Sequence, residues 1–255
     1  MTTATQPVNY WPQNATAKAF WGQQELPAYK ELLADTVAWL EPQAGQRWLD
    51  LGCGGGQLTR SLWQASQGAV AEIIGMDCAA ANEEAYAKHR TRLQPTPGDR
   101  IRFIAADFSH GLPFDDGEFN GVVSGLAIQY AEDYSPERGW TDAGYDRLLA
   151  EVFRVLTPGG RFVFSVNIPN PSWAKVALHS TMGAFLSAHP VQYLQRSFGM
   201  WSYGGWLKRE ARKGRFHYLH RTVITAKLAA AGFRDIECRR SFARQAYILR
   251  GFKPA

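Results

Sequence analysis

The chain is expected to fold as an α/β domain. Its core would be a doubly wound, mostly parallel seven-stranded sheet with an antiparallel C-terminal edge hairpin and a helical insertion. Three observations carry this expectation. Short apolar runs alternate with segments of helical period along residues 47–166, and that alternation builds a parallel sheet covered by helices on both faces. A glycine cluster, Gly52-Cys53-Gly54-Gly55-Gly56, joins the first apolar run to the first helical segment. The last two runs, 234–240 and 245–251, are close enough to form a hairpin.

The elements follow in order. Phe20, Trp21, Leu26, Tyr29, Leu32, Leu33, Val37 and Leu40 recur at helical spacing, and Pro42 and Gly45 close that segment. Arg47 to Leu51 is the first strand, and Leu58, Leu62 and Trp63 mark the helix after it. Val70 to Met76 is the second strand, ending at Asp77, and Ala79 to Arg92 reads as a helix. Pro95, Pro97 and Gly98 break the chain before a third strand, Ile101 to Ile104, which runs toward Asp107. Phe119 to Ser124 is the fourth. Leu148, Leu149, Val152, Phe153 and Leu156 give 145–156 a strong apolar face, stopped by Thr157-Pro158-Gly159-Gly160. Arg161 to Val166 is the fifth strand. Residues 168–219 then break the rhythm and carry many aromatic residues. A structureless loop of that length is improbable in a compact domain, so a mostly helical insertion is expected. Val223, Ile224, Leu228 and Ala231 form a last helix face, with Gly232 as its stop.

Composition narrows the class. With 45% hydrophobic and 20% charged residues among 255, the chain is globular rather than disordered. Three cysteines, Cys53, Cys78 and Cys238, fit neither a disulfide framework nor a zinc motif, which points to a reducing, cytoplasmic setting. No signal peptide opens the chain and no apolar run reaches the roughly 18 residues of a membrane span. Residues 190–255 hold 14 Lys/Arg against 3 Asp/Glu; this excess of +11 within a net +5 leaves −6 on the rest. Such asymmetry marks either an anionic partner or a solvated basic face.

The glycine cluster is the strongest chemical signal. A sharp strand-to-helix turn that lets a ligand approach the backbone needs residues without a Cβ, and the helix start offers unpaired N–H groups. The dinucleotide fingerprint would put glycine at 57, where this chain has Gln57. An acid at the end of the second strand, Asp77, could accept both ribose hydroxyls of an adenosine ligand.

The stretch Leu49-Asp50-Leu51-Gly52-Cys53-Gly54-Gly55-Gly56 resembles the first motif of the class I S-adenosylmethionine-dependent methyltransferases. Asp77, Asp107-Phe108 and Leu156-Thr157-Pro158-Gly159-Gly160 resemble their later landmarks in the same order. Ser124-Gly125-Leu126-Ala127-Ile128-Gln129-Tyr130 is similar to the segment after strand four in the small-molecule branch, which includes quinone-biosynthesis enzymes. The resemblance implies a Rossmann-like methyltransferase fold, S-adenosylmethionine as cofactor and S-adenosylhomocysteine as product. It implies that Gly52, Cys53, Gly54 and Gly56 lie against the methionine part of the cofactor and that Asp50 helps hold its amino group. Asp77 would hold the ribose, Asp107 and Phe108 would meet the adenine, Gly125, Leu126 and Gln129 the opposite side, and Cys78 would also line the cofactor. On this reading residues 1–45 form a helical lid, 46–167 the cofactor-binding core, 168–219 a helical cap over the substrate, and 220–255 the last helix and hairpin of the core.

A base is needed only where the acceptor must lose a proton. His217, His220 and Tyr130 are the candidates, and Tyr10, Trp11, Trp21 and Tyr29 are candidates for an aromatic lid that favours a sulfonium. No base-amino methyltransferase tetrad follows the fourth strand, no Pro-Cys dipeptide occurs, and Ser124 stands where a catechol-type enzyme would place a metal-binding acid. No bound metal is expected. The acceptor is therefore expected to be a small molecule. Nucleic acid is a disfavoured partner, and the alternatives are an RNA or protein methyltransferase using the basic C-terminal region and a non-catalytic cofactor-binding protein.

Overall fold

The computed structural model describes Trp11, residues 26–184 and residues 204–255. Tyr10, Phe20 and Trp21 lie outside the described residues. The described elements are, in order, α1 (Pro27–Val37), β1 (Arg47–Leu51), α2 (Gln57–Ala65), β2 (Glu72–Asp77), α3 (Asn82–Arg90), β3 (Ile101–Ala105) and β4 (Phe119–Gly125). A two-stranded ribbon, β5 (Tyr134–Ser135) with β6 (Gly139–Trp140), precedes α4 (Ala143–Val155) and β7 (Leu156–Asn167). Then follow α5 (Trp173–Ala184), helical residues 204–212 as α6, α7 (Arg221–Ala230), β8 (Arg234–Ser241) and β9 (Ala246–Phe252).

Seven strands form one sheet in the order β3-β2-β1-β4-β7-β9-β8. The first five are parallel, and β9 runs antiparallel to both β7 and β8. The doubly wound sheet with its antiparallel edge hairpin is thus present. Alternation along the strands feeds two cores. Leu49, Ile74, Val122, Phe162 and Phe164 face α4 and α7 on one side. Trp48, Ile73, Val123 and Val163 face α1, α2 and α3 on the other. Successive side chains of a strand point to opposite faces, so fully apolar strands bury both. Gly121 sits opposite Trp48 in the register because any Cβ there would overlap the indole.

Two boundaries differ from the expectation. The second helix of the core starts at Asn82 rather than Ala79, because the chain first turns to bring the Ala79 N–H onto Asp77. The glycine-proline stop after α4 is drawn into β7. Phe119 pairs with Leu156 and Gly121 with Arg161, so Thr157–Gly160 bulge out within one long strand. In the insertion, α5 and α6 are the described helices.

Candidate active site

The parallel order puts the ends of β1, β2, β3, β4 and β7 along one edge, where ligands bind in such sheets. A cleft runs along that edge. With its open mouth included it takes in ≈ 1170 Å³, and it is concave and lined largely by apolar side chains, as ligand sites are.

The turn after β1 is the first wall. The N–H groups of Gly52 and Cys53 both donate to the Met76 carbonyl, at 2.8 and 3.1 Å. This pins the turn to the neighbouring strand. Gly52 (φ +70°) and Gly54 (φ +51°) both line the cleft in left-handed conformations. A Cβ on Gly52 would overlap Ala127, whereas one on Gly54 would meet nothing within 4 Å. Gly52→Ala therefore combines backbone strain with overpacking and is expected to destabilise the fold by about 2–4 kcal/mol. Gly54→Ala carries only the strain, about 1–2 kcal/mol, and instead obstructs the cleft. Thermal melts and S-adenosylhomocysteine titrations on both variants would check this contrast; equal melting points would refute it. Gly56 stands off the cleft, and its missing Cβ makes room for the Tyr86 ring, which would lie 2.7 Å away.

Asp50 also lies behind the wall rather than on it. Its Oδ2 accepts from Thr59 N at 2.9 Å and from Thr59 Oγ1 at 2.7 Å, which ties β1 to the first turn of α2. It is fully buried, its Oδ1 has no protein partner, and burial pushes its pKa from 3.8 up to about 7. The folded state thus binds this proton more tightly than the unfolded chain does. Stability contributed by the protonated form is present at acid pH and is lost as pH rises from about 4 to about 7. We expect the melting point of the free protein to fall between pH 5 and pH 7.5, and to fall less in Asp50→Asn.

Asp77 closes the second wall. Its Oδ2 accepts from Gly54 N and its Oδ1 from Ala79 N, both at 2.9 Å. Burial raises its pKa and these N–H groups pull it back. Asn82 adds a side-chain hydrogen bond to the same carboxylate, which leaves part of its accepting capacity for a ligand. Cys78 lines the cleft beside it, and burial pushes its thiol upward. At the end of β3, Asp107 accepts from Ser109 N at 2.8 Å and stands on the cleft with Phe108.

Gly125 and Leu126 bring β4 to the cleft. Leu126 (φ +53°) is held by donating its N–H to the Ser165 carbonyl and hydroxyl, at 3.0 and 3.1 Å. Gln129 does not line the cleft. Its Oε1 accepts from Asn167 N at 2.6 Å and its Nε2 donates to the Leu126 carbonyl at 3.3 Å, so it fastens the exits of β4 and β7 together.

The three candidate bases behave differently from the expectation. His217 is buried, with Nε2 3.0 Å from the Ala131 carbonyl, and burial lowers its pKa. His220 caps α7, its Nδ1 accepting from Thr222 N. Neither imidazole lines the cleft. Their nearness in sequence to the returning insertion did not fix their direction in space. Tyr130 does line it, 3.3 Å from the Tyr218 hydroxyl, but burial pushes its pKa well above the ordinary phenol value. It stands there as a neutral phenol.

Sequence reasoning missed Glu132, Asn167, Leu207 and Phe242 on the wall. Glu132 accepts from Arg215 Nε at 2.9 Å and Nη2 at 3.1 Å. Burial raises its pKa and Arg215 draws it back. Phe242 opens a run of three left-handed residues with Ala243 and Arg244, φ +57°, +50° and +63°. The run is held by Gln245 N donating to the Phe242 carbonyl and Ala243 N to Glu31 Oε2. Strained backbone of this kind persists only where its surroundings over-determine it. Trp11 packs on Tyr130 with ring centroids 4.4 Å apart, and Tyr29 and Trp173 complete the aromatic lining. Among the described residues, no group of three or more His, Cys, Asp or Glu could hold a metal, and no helix is long and apolar enough to cross a membrane.

The profile of a methyltransferase domain matches residues 49–164. Over 199 residues the chain is 31% identical to the demethylmenaquinone methyltransferase of Thermus thermophilus, covering 75% of this chain and 76% of that one. It belongs to the class I S-adenosylmethionine-dependent methyltransferases. The 2-phytyl-1,4-naphtoquinone methyltransferase of Thermosynechococcus vestitus is 34% identical over 125 residues, 49% of this chain and 48% of that one. The chain thus spans about half the length of that relative and of several others. In fold it is similar to a putative S-adenosylmethionine-dependent methyltransferase of Methanococcus maripaludis, with a TM-score of 0.61, 15% identity and 99% and 98% of the two chains covered. The methyltransferase is thus an enzyme that uses S-adenosylmethionine. The cleft fits that group: open space at Gly54, a half-buried carboxylate at Asp77, and aromatic faces beyond.

Proposed function

We propose that this methyltransferase acts on a small molecule held under the aromatic end of the cleft, by in-line transfer that leaves S-adenosylhomocysteine. The observation that carries this reading is the continuity of the cleft from Gly54 and Asp77 to the wall of Trp11, Tyr130, Trp173 and Phe242. Bound S-adenosylmethionine supplies an activated methyl group whose bonding pair returns to sulfur as the acceptor's own pair forms the new bond. In this reading the backbone of Gly52, Cys53 and Gly54 bears on the methionine part, and Asp77 with Cys78 on the ribose. Asp107 and Phe108 meet the adenine, and Gly125 and Leu126 close the other side. Asp50, Gly56 and Gln129 act by fixing those walls. Residues 1–45 and 168–219 serve as lid and cap over the 46–167 core, with 220–255 completing it. Aromatic faces in such a roof favour a sulfonium and exclude water.

The basic C-terminal region fits this reading better than a nucleic-acid one. Arg215 pairs with Glu132 and Glu210, Lys213 with Glu210, and Lys227 with Asp142 and Asp146. Arg250 pairs with Glu41 and Glu237, and Arg239 with Asp35. Arg215, Lys227, Arg239 and Arg250 thus spend their charge within the fold against acids from the remainder of the same chain. Three free cysteines suit a cytoplasmic setting. Labelled methyl transfer into fractionated extract tests the proposal. Label in the small-molecule or lipid fraction is the expected result; label in RNA or protein would overturn it.

A further inference from the structure

α6 keeps a set of cations that the fold does not pair. Leu207 and Glu210 are buried on its inner side, and Leu207 lines the cleft. Trp206 packs there too, its ring centroid 5.6 Å from that of Phe216. At 3.6 residues per turn, Lys208, Arg209, Arg212 and Lys213 fall together on the opposite side. Arg209, Arg212 and Lys213 are exposed, and Lys208 is half-buried. Glu210 is the one acid of the helix, and it is taken by Lys213 at 2.7 Å and by Arg215 at 3.4 Å. Lys208, Arg209 and Arg212 meet no acid among the described residues. The neighbouring helix adds an apolar residue. Leu178 of α5 is 72% exposed, more than any other large apolar side chain among the described residues. Lys175, three positions before it on the same helix face, is exposed as well. The two helices start together: the Trp173 indole is seated against Gly204, where a Cβ would come within 2.5 Å of the ring. Leu178 and Arg209 each lie five residues past that contact, about 8 Å of helix rise.

We propose that the outer face of α6, with Leu178 of α5 as an apolar anchor, docks on an anionic membrane surface. A helix that turns one face into the protein and shows only cations on the other matches the charge of anionic headgroups. Each Lys or Arg held near such a surface strengthens binding roughly fivefold. An unburied leucine beside cations gains by entering the apolar edge of the headgroup layer and gains nothing in water. Docking of this kind lies on the bilayer and needs no crossing helix. Nucleic acid, the other anionic surface, fits less well. The charged residues among the described lining of the cleft are Asp77, Asp107 and Glu132, all acids, so a strand led from α6 into the cleft would meet like charge. A bilayer engages the outer face alone. α6 then lies between the bilayer and the cleft, with Leu207 on the cleft side. The docking does not depend on which acceptor the cleft takes.

The test is co-sedimentation of the full chain with two kinds of vesicle, pure phosphatidylcholine and equal parts phosphatidylcholine and phosphatidylglycerol. We expect the mixed vesicles to bind at least about tenfold more tightly than the neutral ones. Replacing Lys208, Arg209 and Arg212 together by glutamine, which helices tolerate, should weaken binding to the mixed vesicles by roughly 100-fold. None of the three lines the cleft, so S-adenosylhomocysteine affinity should stay within about threefold of the wild type, and that titration reports the fold as well. A control variant removes the same charge elsewhere, at the exposed residues Arg60, Arg92 and Arg221, again as glutamine. It should bind the mixed vesicles within about threefold of the wild type. Equal binding to the two vesicles, or none to either, would overturn the inference on the unaltered chain alone. So would an equal loss in the control, which would assign the effect to net charge. An oligouridylate RNA that strips the protein from the mixed vesicles at equal phosphate concentration would give the surface to nucleic acid instead.

Discussion

Asp77→Ala is expected to weaken S-adenosylhomocysteine binding by roughly 100-fold or more. Two hydrogen bonds from a charged group to ligand hydroxyls are worth about 1.5–3 kcal/mol each, and each 1.4 kcal/mol is tenfold. The geometry adds a second loss. Asp77 also receives the Gly54 and Ala79 N–H groups, so its removal frees the glycine turn that lines the cleft. Asp77→Asn separates the two effects. It keeps one acceptor oxygen for the turn but loses the charge and half of the accepting capacity. We expect it to bind the ligand better than the alanine variant and to melt closer to the wild type. Calorimetric titration with paired melts measures both quantities. Affinity in Asp77→Ala within threefold of the wild type would show that this carboxylate faces the turn alone.

Much of the fold could be read from the chain because it depends on local patterning. Apolar runs at both strand faces, Gly52 and Gly54 at a turn with positive φ, and Gly232 after α7 each express a backbone requirement that few residues meet. That Asp77 and Asp107 would stand on one edge of the sheet was legible for a related reason. They follow strand ends directly, and parallel order brings strand ends together. What escaped the reading depends on distant partners. Glu132 meets Arg215 across 83 positions, and nothing in either neighbourhood announces the other. Phe242 reaches the cleft from the far hairpin only because three left-handed residues bend its turn inward. Asp50 was read as a ligand for the cofactor, but it is buried and holds Thr59. A motif specifies which residue is needed without stating which layer of the site needs it. The histidines failed for the opposite reason, since a suitable pKa in sequence says nothing of where a ring points.

The charge asymmetry is the clearest case of information that the sequence held and could not interpret. Part of the +11 segment meets acids of the −6 remainder in space, through Arg215, Lys227, Arg239 and Arg250. Arg239 and Arg250 reach back to Asp35 and Glu41, beside α1. These pairs tie the C-terminal hairpin to α1 and the segment after it. Pairs of this kind near the surface add little stability individually.

The buried pair is different, and Arg215→Ala is the second large effect we expect. The Arg215 side chain is 3% exposed and that of Glu132 13%; Trp140 lies 4.9 Å from the guanidinium carbon. Removing the cation leaves Glu132 with an uncompensated charge in a desolvated site, which typically costs about 3–5 kcal/mol. Glu210 keeps Lys213 as a partner at 2.7 Å and suffers less. The sign of the pH dependence identifies the cause. Burial already raises the Glu132 pKa even with Arg215 beside it. Without the cation it rises further, so the folded variant takes up a proton that the unfolded chain does not. Its deficit relative to the wild type should therefore shrink as pH falls from about 8 toward 5. Adding Glu132→Gln should restore much of the loss, because a neutral amide can stay buried where a lone carboxylate cannot. A deficit that is flat with pH, or one that the double variant leaves unchanged, would assign the loss to the packing of Arg215 against Trp140 and Phe216 instead. Because Glu132 stands on the cleft and Arg215 follows directly from α6, the ion pair joins the end of α6 to the cleft wall. The double variant, with its stability recovered, then shows whether the charge itself is needed for turnover or only the position of the wall it holds.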